Sequence, residues 1–359
     1  MEQTKLMNML GIKYPIIQAG MAGSVTTAEL VAAVSEAGGL GTLGAGYMKP
    51  EVIRSTIAKI RELTAKPFAV NLLIARRRLI DDQMIQNGKR MIRPMEEQLG
   101  LQEHRTAIPE EDYHEKLAVL IEEKVPIVSF AFDIPDVQEI QELKKHGTII
   151  IGTATNVREA KVLANIGVDA IVGQGSEAGG HRGTFLGTEP HSLIGTMALI
   201  PQLIAAVPTI PIIAAGGIMD GRGLIAAVAL GAEGVQMGTA FLTCKESGAH
   251  PVHKQAVLHS NDQSTVVTRV FSGRYARGIE NAFIKQMKGS EQDLPPYPIQ
   301  NSLTSSLRSA AATQGNADYM ALWAGQASSL ARELTAADLV EKTMEQAKKR
   351  VAELHQFRL

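Results

Sequence analysis

The chain has 359 residues, 45% of them hydrophobic, and carries 36 basic against 37 acidic side chains for a formal net charge of -1. That length and apolar content allow a large buried core, while the balanced charge excludes the basic footprint of a nucleic-acid binder or of a protein drawn to an anionic membrane. One cysteine, Cys244, excludes an internal disulfide and a thiolate metal cluster, so small molecules are the expected partners and a reducing cytoplasm the expected setting.

Residues 1–5 lack the basic-then-apolar order of a signal peptide, and no apolar run further on reaches the roughly 18 residues of a membrane span. Residues 15–18 read as a first strand that runs out into small residues, Gln18-Ala19-Gly20-Met21-Ala22-Gly23, and 27–37 as a helix. Residues 40–43 read as the second strand. The surrounding Gly39-Leu40-Gly41-Thr42-Leu43-Gly44 matches G-x-G-x-x-G in letters only. A dinucleotide fingerprint follows a strand and opens a helix, whereas this stretch follows a helix and contains its own strand.

A helix over 50–63 leads to a third strand, 68–73, with Asn71 inside an otherwise apolar run. A buried asparagine must find partners, which either neighbouring backbone or the polar edge of a flavin ring would supply. Residues 75–111, charged and rich in Arg, Met and Gln, read as an insertion. Strands at 127–130, 148–151, 170–172, 210–214 and 234–237 then alternate with helices at 137–145, 157–166, 193–206 and 221–230.

Eight continuously apolar strands joined by helical crossovers predict an α/β fold, a (β/α)8 TIM barrel over residues 1–244, with a doubly wound open sheet as the alternative. Residues 245–325, with Leu294-Pro295-Pro296-Tyr297-Pro298, read as a smaller, mostly helical subdomain over the active site. Residues 326–359 hold a helix, 336–357, that returns to the barrel.

In such a barrel the active site lies at the C-terminal strand ends, and the last two loops commonly hold a phosphate. Here they read Ala214-Ala215-Gly216-Gly217-Ile218-Met219-Asp220-Gly221 and Gln236-Met237-Gly238-Thr239. Paired glycines expose backbone N–H groups, a helix beginning near Asp220 adds its positive end, and Thr239 adds a hydroxyl, so a phosphate cradle is expected. A mere tight strand-to-helix turn is the plainer reading. After the sixth strand comes Gln174-Gly175-Ser176-Glu177-Ala178-Gly179-Gly180-His181-Arg182-Gly183, a glycine-rich loop shaped for close approach to a flat ligand. Across the mouth from the cradle, His181 is the candidate catalytic residue; otherwise it caps a helix or bonds a carbonyl. Glu177 and Arg182 are read as supporting or solvated charges. The remaining histidines lack metal-ligand spacing, so no metal site is expected, and His250 and His253 are read as surface residues.

These segments, Ile17 to Ala22, Asn71, Gln174 to Gly183, Ala214 to Ile218 and Gln236 to Thr239, together with Pro296 to Asn301 and Trp323 to Gln326 in the tail, resemble the nitronate monooxygenases, formerly 2-nitropropane dioxygenases. The resemblance implies non-covalent FMN, its ring against Met21, Ala22, Asn71, Gln174 and Gly179 and its phosphate against Gly216, Gly217, Gly238 and Thr239, with Gly180, Gln236 and Met237 in the same loops. It implies that His181 is catalytic near the flavin and that Tyr297 and Asn301 lie at the substrate pocket. The implied reaction is oxidation of an alkyl nitronate, such as propionate 3-nitronate, by O2 to a carbonyl compound and nitrite. The flavin would carry the redox chemistry. Two departures bear on substrate preference: some relatives have a second histidine where this chain has Ala131, between Phe130 and Phe132, and some have lysine at the position of Asn301. A flavin-dependent enoyl-acyl-carrier-protein reductase, an NAD(P)H:quinone reductase and a non-catalytic flavin binder are the alternatives, and the sequence is compatible with a monomer or a homodimer.

Overall fold

The apolar runs form β1 (Ile16–Gln18), β2 (Gly41–Gly44), β3 (Phe68–Leu73), β4 (Ile127–Ala131), β5 (Ile149–Ala154), β6 (Ala170–Gln174), β7 (Gly180–His181), β8 (Ile212–Ala215) and β9 (Gly234–Met237) in a computed structural model that describes residues 3–75, 81–102, 112–187 and 191–356. All but β7 belong to one eight-stranded sheet in the order β1-β9-β8-β6-β5-β4-β3-β2, every pairing parallel. Leu40, just ahead of β2, bridges Ile17 of β1 and closes the circle. The fold is the α/β barrel, not the open sheet.

Ile17, Ala69, Ile127, Ile151, Val172 and Ile213 fill the interior, and α1 (Lys5–Leu10) plugs its lower end with Leu6, Met7 and Leu10. Helices α2 (Ala28–Glu36), α3 (Pro50–Leu63), α4 (Asp82–Gln98), α5 (Tyr113–Glu122), α6 (Val137–Lys145), α7 (Val157–Ile166), α8 (Thr196–Ala206) and α9 (Gly221–Ala229) follow in chain order. Polar side chains set several starts: Thr27, Asn156 and Asp220 accept from the first free N–H groups of α2, α7 and α9. Among the described residues no helix is long and apolar enough to cross a membrane.

The tail continues with α10 (Thr239–Leu242), α11 (Pro251–Leu258), β10 (Thr265–Thr268), β11 (Ala276–Ile279), α12 (Ala282–Gln286), α13 (Ile299–Leu303), α14 (Ser305–Thr313) and α15 (Ala336–Leu354). The last of these lies against α9 and α2, so it bridges the final and first helices of the barrel. The stretch read as an insertion contains α4, whose Ile92 and Met95 join Phe271, Phe283, Leu303 and Leu307 in a separate apolar cluster. Residues 76–80 and 103–111 of that stretch lie outside the described residues. The tail also holds strands that the sequence pattern did not foresee. Strands β10, β11 and β7 form an antiparallel sheet in which Ala276 pairs with His181. That sheet fixes the backbone of the candidate catalytic residue from outside the barrel.

Candidate active site

A cavity opens at the C-terminal ends of the barrel strands, walled by the loops after β1, β3, β4, β6, β8 and β9 and roofed by the tail. Of the residues expected there, Met21, Ala22, Asn71, Gln174, Gly179, Gly180, His181, Gly216, Gly217, Gln236, Gly238 and Thr239 all line it. Met237 does not. Side chains alternate along a strand, so Gln236 faces the cavity and Met237 turns into the layer between strands and helices, where it is 1% exposed. Asn71 donates through Nδ2 to Ser129 Oγ at 2.9 Å and to the Ser129 carbonyl at 3.3 Å. Neighbouring groups thus satisfy its donors, and its carbonyl oxygen is left for a ligand.

Gly216 and Gly217 have φ +116° and +71°, in the region that favours glycine, and a Cβ on Gly216 would come within 2.9 Å of Thr196 Oγ1. Among the described residues their N–H groups, and that of Gly238, meet no protein acceptor. The Thr239 hydroxyl accepts from Gly325 N at 3.0 Å, and its own proton remains free to donate. Glu177 lines the same end, but its carboxylate is occupied by the amide and hydroxyl of Thr196 at the start of α8, each at 2.9 Å. Free donors face the cavity while the nearby acid is satisfied, which is the donor set an anion such as a phosphate requires.

His181 stands on the opposite side. Its Nε2 lies 2.8 Å from Ser272 Oγ, and Phe132, Trp323 and Tyr297 surround the ring at centroid distances of 5.5, 5.2 and 6.1 Å. Burial, then the nearby charges of Arg274 and Arg308, push its pKa down to about 3, so the imidazole is neutral. Arg308 donates to the carbonyl and Oδ1 of Asn301 at 2.7 and 3.0 Å and to Thr304 Oγ1 at 3.1 Å. No carboxylate lies within ion-pair distance of it among the described residues. Burial, then the neighbouring Tyr47, holds the Tyr297 hydroxyl well above the usual phenol range.

The model of the nitronate monooxygenase family matches residues 3–346. The chain belongs to the nitronate monooxygenase family. A probable nitronate monooxygenase of Staphylococcus haemolyticus is 48% identical over 347 residues, 96% of this chain and 97% of that one. Among solved structures, nitroalkane oxidase from Streptomyces ansochromogenes matches with a TM-score of 0.92 and 39% identity over 98% of this chain and all of that one. FabK from Thermotoga maritima matches with a TM-score of 0.79 and 32% identity over 99% of each chain. As a member of this family the chain is an oxidoreductase, and the family's nitro chemistry is the frame for its site.

Within that frame, two further expectations from the sequence are corrected. Asn301 does not line the cavity; its side chain is spent on Arg308. His253 is not a surface residue. It is 7% exposed, lines the cavity and shares a hydrogen bond of 3.0 Å with the Trp323 carbonyl, because α11 packs that face onto the tail. Burial pushes its pKa down to about 4. Of the two readings of Arg182, support holds: it is 0% exposed and donates to the carbonyls of Gly175, Gln174 and Ser192, pinning both ends of the glycine-rich loop. Sequence reasoning also passed over Ser272, Arg274 and Arg308. No local pattern marks them, since each reaches the site only through the tail's long-range packing.

Proposed function

We propose that this chain oxidises alkyl nitronates, such as propionate 3-nitronate, with O2 to a carbonyl compound and nitrite, using FMN. The observation that carries this reading is the neutral His181 in the cavity at the barrel mouth, with the Arg274 guanidinium 4.2 Å from the centre of the Phe132 ring that meets the imidazole and the charge of Arg308 also felt there. Two cations that suppress an imidazolium attract an anionic substrate instead. The residues fit FMN rather than a dinucleotide: the N–H groups of Gly216, Gly217 and Gly238 offer one phosphate-sized cradle, and Asn71 and Gln174 line the cavity between it and His181. The flavin, when bound, supplies the redox chemistry, accepting electrons from the substrate and delivering them to oxygen.

The side chains bind, orient and hold protons. Gln174 is fixed by accepting from Gly183 N at 2.7 Å and donating to the His181 carbonyl at 3.0 Å, so the loop that carries the imidazole cannot drift. Phe132, Tyr297 and Trp323 exclude water around the ring. A nitronate is already deprotonated and needs no strong base. A neutral nitroalkane must first lose an α-proton, and an imidazole with so low a pKa accepts it with little driving force. Nitronates are therefore the favoured substrates.

His181→Asn tests the assignment by steady-state oxygen uptake at matched flavin content. Asn still donates a hydrogen bond to an anion but cannot accept a carbon-bound proton, so turnover of nitroethane should fall far more than turnover of ethyl nitronate. Equal losses would reject the base role. A flavin-dependent reductase, the alternative left open by the sequence, is the second reading, which rapid anaerobic flavin reduction by NADH or NADPH would favour.

A further inference from the structure

We infer that Ser272 is a positioning residue that fixes the tautomer of His181, so that Nε2 carries the proton and Nδ1 presents its lone pair to the substrate. This deepens the reading of His181 as the proton acceptor and rests on it. Ser272 is 1% exposed, on the loop between β10 and β11, ninety-one positions from the histidine. Its hydroxyl donates to the Arg274 carbonyl at 3.0 Å, and the same oxygen receives the Arg274 N–H at 3.3 Å. A serine hydroxyl has one proton and two lone pairs. With the proton directed to a carbonyl, the oxygen 2.8 Å from Nε2 can only accept, so the ring must donate from Nε2.

Arg274 and Arg308 disfavour a second proton on the ring, and a neutral imidazole protonated at Nε2 is bare at Nδ1. Among the described residues Nδ1 has no hydrogen-bond partner, and it is not one of the sealed polar atoms of the interior. The ring itself lines the cavity. The other groups around it leave that nitrogen bare: Phe132, Tyr297 and Trp323 meet the imidazole through their rings. The step assigned to Nδ1 is balanced. The α-carbon–hydrogen bond of a neutral nitroalkane breaks, its electron pair passes into the nitro group to give the nitronate, and the proton forms the Nδ1–H bond of an imidazolium.

The test is long-range 1H–15N correlation on 15N-histidine-labelled, flavin-loaded protein, with the His181 signals identified by their absence in His181→Asn. An unprotonated Nδ1 beside a protonated Nε2 is expected in the unaltered chain. Ser272→Ala should mix the tautomers and lower kcat for nitroethane by about tenfold, with kcat for ethyl nitronate within about threefold, and Ser272→Thr should restore both signals and rate. A protonated Nδ1 in the unaltered chain would overturn the inference. So would Ser272→Ala with one unchanged tautomer and an unchanged ratio of the two rates. The tautomer is read without turnover, so a chain that failed to oxidise nitronates would sink the functional reading and leave this measurement to decide the role of Ser272.

Discussion

The guanidinium of Arg274 stands 4.2 Å from the centre of the Phe132 ring, and that ring meets His181 edge-on at 5.5 Å. Cation, ring and imidazole thus form one chain of contacts, and Phe132 at its centre has φ +80°, a strained backbone for so bulky a residue. Arg274→Met should raise KM for nitronates about tenfold with a smaller effect on kcat, because the charge acts on binding the anion. Removing a cation also makes His181 easier to protonate, so the acid limb of kcat/KM should move to higher pH. Unchanged KM and an unmoved limb would show that Arg274 has no electrostatic part in the site.

Stability should fall on acidification before the carboxylates titrate. The folded pKa values of His181 and His253 lie at about 3 and about 4, below the ordinary 6.5, so between those limits the unfolded chain binds protons that the folded chain does not. Stability therefore rises with pH through that window and is lost as pH falls from about 6.5 toward 4. The check is the midpoint of denaturant unfolding at pH 7 and pH 5 at matched flavin content. His253→Gln should shrink the drop; an equal drop in both proteins would place its source elsewhere.

The two cradle loops respond differently to a methyl group. A Cβ on Gly216 meets Thr196 Oγ1 at 2.9 Å and is strained by φ +116°, whereas a Cβ on Gly238 comes no closer than 3.6 Å to Ala19 and 3.8 Å to Met21. Gly216→Ala should lower both thermal stability and FMN occupancy. Gly238→Ala should keep the fold, and any loss of FMN it causes reports the ligand's own need for space. Flavin released on heating, together with Tm, separates the two. Full occupancy in both variants would mean that the phosphate lies elsewhere.

How far the sequence disclosed this site depends on how local each signal is. The apolar runs and their helical spacers carry their own period, and strand bounds followed from them within a few residues, as at Phe68–Leu73 and Gly234–Met237. That Gly216, Gly217 and His181 line the cavity was legible because a barrel opens its cavity at the C-terminal strand ends. The rest depends on contacts between distant segments. Ala-Arg-Gly-Ile at 276–279 shows no strand alternation, and β11 exists because it pairs with β10 and β7. Whether Arg182 supports the loop or is solvated is decided only by the carbonyls of Gly175, Gln174 and Ser192 around it. His253 and Asn301 were misplaced for the same reason: neither helix α11 nor α13 shows in its own sequence which face the tail will cover.

The most direct measurement is oxygen uptake by purified, flavin-loaded protein supplied separately with propionate 3-nitronate and with NADH, with nitrite assayed in the same samples. The site, with its neutral histidine in the cavity at the barrel mouth and the charges of Arg274 and Arg308 felt there, predicts oxygen consumption and nitrite formation with the nitronate and little oxidation of NADH. Rapid flavin reduction by NADH without nitrite from the nitronate would contradict the account and assign the chain to the reductases.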